Sequence, residues 1–355
     1  MKNPFSFGTL VDKPYFTDRV KELQYIVQFL DSENHLILIS PRRYGKSSLV
    51  RKAVEETGRP YIWLNMQTVL SKEDFAAKLL KLVLREYKIE RIKHLLRHFR
   101  VIPTISLNPA SSEINISFQS SLDTTVLLED VFALLEKVST PDEELIVVFD
   151  EFQDILGVER GIDKILRAIM QEQKGLNYIF LGSQESMMSE IFERVHSPFY
   201  HFGMLMRIDK IPYDDFLAFV AERFSNVADK PESLSRSILE FTACHPYYTQ
   251  QLASEVWSLT AYEKVRENVV EMAVGNIVKV HDLDYERLWL TFNKTDQFVL
   301  SVVCKGENPV QLRQYPTSTI TSSLTRLMKR GVLVKGDGYE IEDPFLSRWI
   351  HAHQR

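Results

Sequence analysis

Residues 35–54 read HLILISPRRYGKSSLVRKAV, which is an apolar strand-like run, a polar loop and a helical run in direct succession. A loop of this composition between a strand and a helix can wrap a phosphate with its backbone N–H groups. Gly45 allows close approach, Lys46 reaches the outer phosphates, and the Ser47 hydroxyl is a ligand for magnesium. The first turn of the helix adds the positive end of its dipole. The stretch therefore predicts a phosphate-binding loop that takes ATP or ADP with Mg²⁺.

The residues of this loop that are predicted to contact the nucleotide are Ser40, Pro41, Arg42, Arg43, Tyr44, Gly45, Lys46, Ser47 and Ser48. One position departs from the usual pattern, because Ser40 stands where such loops open with glycine. A serine with negative φ still presents its backbone N–H. The alternative reading, a basic surface turn, is disfavoured by the strand and the helix on either side.

A second apolar run, residues 145–149, ends in two acids about 100 residues after the loop. Asp150 is predicted to hold the magnesium ion together with Ser47. Glu151 is predicted to polarise the attacking water, a task suited to a carboxylate beside the γ-phosphate. Two acids also occur by chance at a solvated strand end, but the phosphate-binding loop favours the catalytic interpretation, with Lys46 and Glu151 as catalytic residues.

Two further groups of polar residues are candidates for contact with the γ-phosphate. Ser183 and Gln184 follow another apolar run, 178–182, where a side chain could sense the γ-phosphate. Gln184 is predicted as a third catalytic residue, and a helix-capping or loop role is the equal alternative. An arginine finger is not singled out by the sequence. Its candidates are Arg42, Arg43, Arg194 and Arg207.

Up to residue 212 the chain alternates short apolar runs with longer runs of helical period, which predicts an α/β fold with a parallel sheet. The predicted strands are 35–40, 61–66, 145–150, 177–183 and 204–211. The predicted helices begin near Lys46, Lys72, Thr125, Gly161 and Ser186, and Ser71 with Asp74 forms a capping box for the second of them. Residues 89–121 are expected to form an irregular insertion with a hairpin outside the main sheet.

Beyond residue 212 the strand-like runs stop and helical period takes over. Residues 213–281 predict a helical lid, and the charged run 281–287 predicts a linker. The rest reads as helices at 295–304, 309–314 and 317–330 followed by a glycine-turned hairpin, a winged-helix pattern. The predicted domains are thus a core (1–212), a lid (213–284) and a winged helix (285–355).

Composition is that of an ordinary globular protein, with 45% hydrophobic and 26% charged residues and a net charge of −5. No apolar run approaches the roughly 18 to 20 residues of a membrane span, and the N-terminal residues do not resemble a secretory signal, so we expect a cytoplasmic protein without membrane contact. Cys244 and Cys304 lack metal-ligand spacing and are expected to be reduced thiols. From residue 287 onward ten Lys or Arg stand against six Asp or Glu, so the tail is basic.

Five segments together carry a resemblance to a known family. They are FTDRVKEL (16–23), PRRYGK (41–46), SPFY (197–200), HPYYTQQL (245–252) and YEIEDPF (339–345). With the paired acids at 150–151, they make the chain resemble the archaeal-type ATPases of the STAND branch of AAA+-like P-loop NTPases. The resemblance implies an ATPase core with the strand before the loop central in the sheet, followed by a helical lid and a winged helix.

The same resemblance implies further nucleotide contacts, because in similar proteins the entry segment and the proline motif of the lid flank the adenine. On matching positions these contacts are Phe16, Arg19, His245 and Pro246. It implies a slow, nucleotide-controlled regulatory switch. The alternative is an initiator-like DNA-binding ATPase, since origin-recognition proteins share this domain order, with residues 317–326 as the recognition helix on duplex DNA. A homo-oligomer and a protein partner stay open.

Overall fold

The computed structural model describes residues 2–8, 19–108, 113–118, 123–265, 267–336 and 338–353. Its residues fall into two compact units. One, here called the sheet unit, comprises residues 20–41 and 49–208. The other, here called the helical unit, comprises residues 1–19, 42–48 and 209–355, so it includes most of the predicted phosphate-binding loop.

The sheet unit is built on a five-stranded parallel sheet in the order β2-β5-β6-β1-β7. Its strands, with the separate pair β3 and β4, are β1 Leu36–Ile39, β2 Tyr61–Asn65, β3 Thr104–Asn108, β4 Glu113–Ser117, β5 Leu145–Asp150, β6 Leu176–Gly182 and β7 Met204–Arg207. β1 is an interior strand between β6 and β7, while β6 holds the middle of the sheet. The predicted α/β fold with a parallel sheet is confirmed.

Helices connect the strands of this sheet and cover its faces. They are α1 Val20–Leu30, α2 Lys46–Thr57, α3 Lys72–Glu86, α4 Ile89–Leu96, α5 Thr124–Val138, α6 Ile162–Met170 and α7 Glu185–Phe192. β6 is buried along its whole length, and β5 along all but its last residue, as continuous apolar runs are in a parallel sheet covered on both faces. The predicted capping box is formed in its first half: the Asp74 amide donates to Oγ of the N-cap Ser71 at 3.2 Å. The Asp74 carboxylate accepts from the amide of Leu70, one residue before the cap.

The predicted insertion is more regular than its sequence suggested. Residues 89–96 form helix α4, because Ile92 is fully buried and its apolar neighbours on the same face pack against the core. The expected hairpin is the antiparallel pair β3–β4, which forms its own two-stranded sheet. The insertion thus adds a helix and a hairpin to the sheet unit without extending the main sheet.

The helical unit has its own apolar core, which includes Phe216, Phe224, Leu252 and Phe345. Its regular elements are α8 Tyr213–Phe224, α9 Pro231–Thr242, α10 Pro246–Ala261, α11 Val269–Val280, α12 Asp282–Leu290, α13 Lys294–Cys304, α14 Thr317–Lys329, β8 Leu333–Lys335, β9 Tyr339–Ile341 and α15 Pro344–His353. β8 and β9 pair antiparallel. The C-terminal part is therefore helical with one short hairpin.

Two expectations for this unit are corrected. The charged run 281–287 is not a linker but belongs mainly to α12. Tyr285 and Trp289 of this helix face the core, and Asp284, Glu286 and Arg287 are exposed. Residues 309–314 form turns instead of a helix, with Arg313 at positive φ. Cys244 and Cys304 are free thiols, as expected. Within the described ranges, no helix combines the length and apolarity that a membrane span requires.

Candidate functional site

The polar loop leaves β1 at the carboxyl end of the strand. Ser40 is fully buried, its φ is not positive, and its amide donates to the Gly182 carbonyl of β6 at 3.3 Å. Gly45 has φ +84, a conformation that L side chains rarely adopt, although a Cβ there would meet no atom within 4 Å. The glycine is therefore required by backbone conformation. Lys46 then starts α2, whose N-terminus carries the positive end of the helix dipole.

Arg43 in the same loop contacts two tyrosines of α10. Its guanidinium donates to the Tyr248 hydroxyl at 3.1 Å and lies 4.6 Å from the centroid of the Tyr247 ring. Burial and the neighbouring Asp343 raise the pKa of Tyr248, so its hydroxyl stays protonated and accepts from the cation. Arg43 is one of the few residues other than glycine with positive φ, at +66. The backbone of the loop is thus turned so that this side chain meets α10.

Tyr44, the next residue, packs edge-on against His245 with 4.9 Å between ring centroids. His245 is buried and caps α10: its Nδ1 accepts from the Tyr247 amide at 3.2 Å and the Tyr248 amide at 3.5 Å. Because Nδ1 accepts, the ring proton lies on Nε2, which is 3.4 Å from Glu342 Oε1. Burial lowers the pKa of His245 against the opposing effect of Glu342, so the ring is neutral near pH 7.

Glu342 is followed by Asp343, which caps α15. Its Oδ1 accepts from the Phe345 and Leu346 amides at 2.8 and 3.2 Å, and its Oδ2 accepts from the Tyr285 hydroxyl at 3.2 Å. Burial raises the pKa of Asp343, while these hydrogen bonds and the charge of Arg43 act in the opposite direction. We call Arg43, Tyr44, His245, Tyr248, Glu342 and Asp343 the loop network. It joins the loop to α10 and to the start of α15.

The side chain of Arg19 also contacts the loop, at the backbone carbonyl of Tyr44. The guanidinium is buried and donates to the Tyr44 carbonyl at 3.2 Å and the Asp209 carbonyl at 2.8 Å. Pro246 occupies the first position of α10, where its missing N–H costs nothing. Phe16, the remaining residue of the predicted adenine contacts, lies outside the described residues. Arg19 therefore supports the part of the loop that belongs to the helical unit.

The paired acids lie at the same edge of the sheet as the start of the loop, because β1, β5 and β6 run parallel. Asp150 ends β5, and its Oδ1 accepts from the Glu151 amide at 3.0 Å. Glu151 has φ +52. Its Oε2 accepts from three donors: the Ser183 amide at 3.2 Å, the Ser183 hydroxyl at 2.5 Å and Gln153 Nε2 at 2.7 Å.

The polar residues after β6 have different partners, and Gln184 occupies the helix-capping position that was the equal alternative in the sequence. Gln184 starts α7, and its carbonyl accepts from the amides of Met187 and Met188 at 3.0 Å. Ser183, its neighbour, is the one that reaches Glu151. Sequence reasoning missed this contact and that of Gln153, although a polar residue directly after β6 and an amide two residues after Glu151 were visible signals.

Two of the arginine-finger candidates take part in ion pairs within the sheet unit. Arg194 pairs with Glu190 at 3.1 Å, and Arg207 pairs with Glu193 at 2.8 Å. Arg43 belongs to the loop network, and Arg42 is exposed. These contacts give each of the paired arginines a structural partner on α7 or beside it.

Comparison with known proteins assigns the family. Residues 16–252 match the family model described as an ATPase domain predominantly from Archaea. The chain belongs to this family. It is accordingly an ATPase, and the polar loop is the P-loop of an archaeal-type ATPase. No curated protein sequence matches the chain.

Solved structures share the fold of this archaeal-type ATPase. A Walker-type ATPase of Pyrococcus abyssi is similar with a TM-score of 0.65 and 19% identity, over 95% of this chain and 97% of the other. The ORC2 protein of Aeropyrum pernix, in ADPNP and ADP complexes, has a TM-score of 0.55 and 12% identity, over 99% of both chains. The likeness therefore extends beyond residue 252 to the C-terminal part of the chain.

Proposed function

We propose that this ATPase binds ATP with Mg²⁺, hydrolyses it slowly and acts as a nucleotide-controlled regulatory switch. Its P-loop supplies the features that a triphosphate needs: a glycine at φ +84, a lysine and two serines at the start of α2. Residues 40–48 remain the proposed nucleotide contacts of the loop. Arg19, Phe16, His245 and Pro246 remain the proposed contacts beside the adenine.

The roles in hydrolysis follow from chemistry at the carboxyl ends of β1 and β5. Lys46 would bind the outer phosphates, and magnesium would take the Ser47 hydroxyl and the Asp150 carboxylate as ligands. Bound magnesium supplies charge neutralisation of the phosphates. Glu151 would hold and polarise the attacking water. Gln184 remains a proposed γ-phosphate sensor through its position after β6.

The loop network is the observation that supports a switch. Arg43 and Tyr44 belong to the loop that would surround the phosphates, and both contact α10, in the proposed lid. His245 continues the chain of contacts to Glu342, in the proposed winged helix. A ligand that shifts the backbone of the loop must change the free energy of these contacts, and by that difference it biases the lid and the winged helix.

The proposal is tested with the wild type, Lys46→Ala and Glu151→Gln. Lys46→Ala should lose ATP binding in calorimetry, whereas Glu151→Gln should bind ATP with Mg²⁺ but lose about 100-fold or more in turnover. Hydrogen exchange of residues 339–353 should change when ATP is added to the wild type and to Glu151→Gln, and not with Lys46→Ala. Wild-type protein whose exchange is identical with and without bound ATP would refute the switch.

A DNA-binding initiator is the second candidate, favoured by the exposed hydroxyl face of α14. Six exposed side chains form this face: Thr317, Ser318, Thr319, Thr321, Ser322 and Thr325. Hydroxyls can donate to phosphates and base edges. The basic residues at the end of α14 are less suited, because Arg326 pairs with Asp296 at 2.6 Å and Arg330 donates to the Thr291 hydroxyl at 2.7 Å.

Binding of the full-length chain to duplex DNA, measured at several salt concentrations, decides between the two candidates. An initiator should bind with an affinity that falls steeply with salt, and Ser322→Asp on the exposed face should weaken binding further. Absence of salt-dependent binding eliminates the initiator and leaves the switch. The three-domain division at 212 and 284, a homo-oligomer, a protein partner and a cytoplasmic location remain predictions.

A further inference from the structure

We propose that Gln153 is a positioning residue for the carboxylate of Glu151. The inference rests on the proposed role of Glu151 as the group that polarises water. Gln153 lies in the short 3-10 turn Phe152–Gly157 that follows β5, and its side chain is fully buried. Its Nε2 donates to Glu151 Oε2 at 2.7 Å, a charge-assisted hydrogen bond.

The other end of the same amide indicates why the residue is there. Gln153 Oε1 is buried and has no hydrogen-bond partner among the described parts of the protein. A buried acceptor without a partner costs stability, whereas an apolar side chain of similar length would avoid that cost. Glutamine is thus a poor choice for packing at this position. What glutamine provides here is the N–H donor to Glu151.

The three donors described above for Glu151 Oε2 come from two separate elements. Gln153 approaches from the turn that follows β5, and Ser183 approaches with its amide and hydroxyl from the end of β6. Glu151 itself has φ +52, which a residue with a Cβ adopts at an energetic cost. The two elements together hold the carboxylate in one place despite that backbone. Because Gln153 is fully buried, packing restricts the rotation of its side-chain donor.

Gln153→Met tests this role, because it removes the N–H donor and keeps an unbranched side chain of similar length. We expect kcat for ATP hydrolysis to fall about 10- to 100-fold, since small misplacements of a catalytic group have effects of that size. KM for ATP should stay within twofold. The melting temperature should not fall, because the unpaired oxygen is removed together with the donor.

Gln153→Glu adds a readout that a purely structural role would not move. When the introduced carboxyl group is ionised, it offers no donor and repels Glu151. When it is protonated, its O–H can donate to Glu151 again. The activity of Gln153→Glu relative to wild type should therefore rise as pH falls from 8 to 6, while the ratio for Gln153→Met stays flat. The matched control is Gln173→Met in the same unit, whose amide donates to the Phe132 carbonyl and accepts from Tyr178. It should lose stability and retain kcat.

Three outcomes separate the possibilities. If wild type hydrolyses ATP and Glu151→Gln does not, the role of Glu151 stands, and an unchanged kcat in Gln153→Met then overturns the positioning role alone. If Gln153→Met loses activity only in proportion to lost folded protein, the role is structural and the inference also fails. If Glu151→Gln keeps full turnover, it is the proposed function of Glu151 that fails.

Discussion

Removing the Tyr248 hydroxyl should weaken the loop network by a measurable amount. Tyr248→Phe deletes the acceptor that lies 3.1 Å from the Arg43 guanidinium but leaves the ring in place. Hydrogen bonds to charged groups contribute about 1.5 to 3 kcal/mol. Arg43 is exposed, and water replaces part of the lost interaction. We therefore expect less than this range, a coupling of about 1 to 1.5 kcal/mol between the two side chains.

A double-mutant cycle with Arg43→Met and Tyr248→Phe measures this coupling. Urea unfolding can be followed by fluorescence of the three tryptophans of the helical unit, Trp257, Trp289 and Trp349, after Trp63 of the sheet unit is changed to Phe. The cycle is then repeated at saturating ATP with Mg²⁺. A switch that works through the loop predicts a different coupling energy in the two conditions, by linkage.

Two outcomes would contradict a nucleotide-dependent contact between Arg43 and Tyr248. A coupling below about 0.3 kcal/mol, which is the usual limit of additivity for independent sites, would mean that the hydrogen bond contributes nothing. A coupling that is present but identical with and without ATP would mean that the contact is structural and carries no nucleotide signal. Tyr315→Phe, in the same unit but outside the network, serves as control and should show no coupling with Arg43.

Two further predictions concern the sheet unit. Burial, with Arg167 nearby, lowers the pKa of His35 to about 4, so between pH 6.5 and 4 the unfolded chain binds a proton that the native protein does not. The free energy of unfolding should therefore fall by about 2 kcal/mol from pH 7 to pH 5. His35→Asn should remove that part of the pH dependence in urea titrations. Ser40→Gly should leave ATP affinity within about twofold, since Ser40 already has an ordinary φ. It should lower the free energy of unfolding by about 0.5 to 1 kcal/mol, because glycine adds unfolded-state entropy and the hydrogen bond from Ser40 Oγ to the Pro41 carbonyl is lost. A large gain in affinity would show instead that the serine impairs the loop.

The α/β architecture of the sheet unit could be predicted because the apolar runs in the sequence coincide with the buried strands of the sheet. β5 and β6 are continuous apolar runs, and their burial on both faces is what such runs indicate. The start of α3 was equally visible, since Ser71 is its N-cap and accepts from the Asp74 amide, as a capping box specifies. These signals depend only on residues close in sequence.

The contacts that matter for the site were not visible in the same way. Nothing near Arg43 in sequence indicates that its guanidinium meets Tyr248, because the partner is 205 residues away. The charged run at 281–287 looked like a linker because only two apolar residues of α12, Tyr285 and Trp289, show its buried face. Side-chain partners are set by tertiary packing, and a single sequence contains no measure of it.

The position of the P-loop in the helical unit has a consequence for how the protein forms during synthesis. Residues 42–48 group with residues 209–355, although they leave the ribosome long before them. At about 5 to 20 residues per second, the partner of Arg43 is made roughly 10 to 40 seconds after Arg43 itself. Most of the sheet unit is complete by then. The loop therefore acquires its native surroundings late, and a nascent chain stopped before α10 would carry a P-loop without the contacts that surround it in the finished protein.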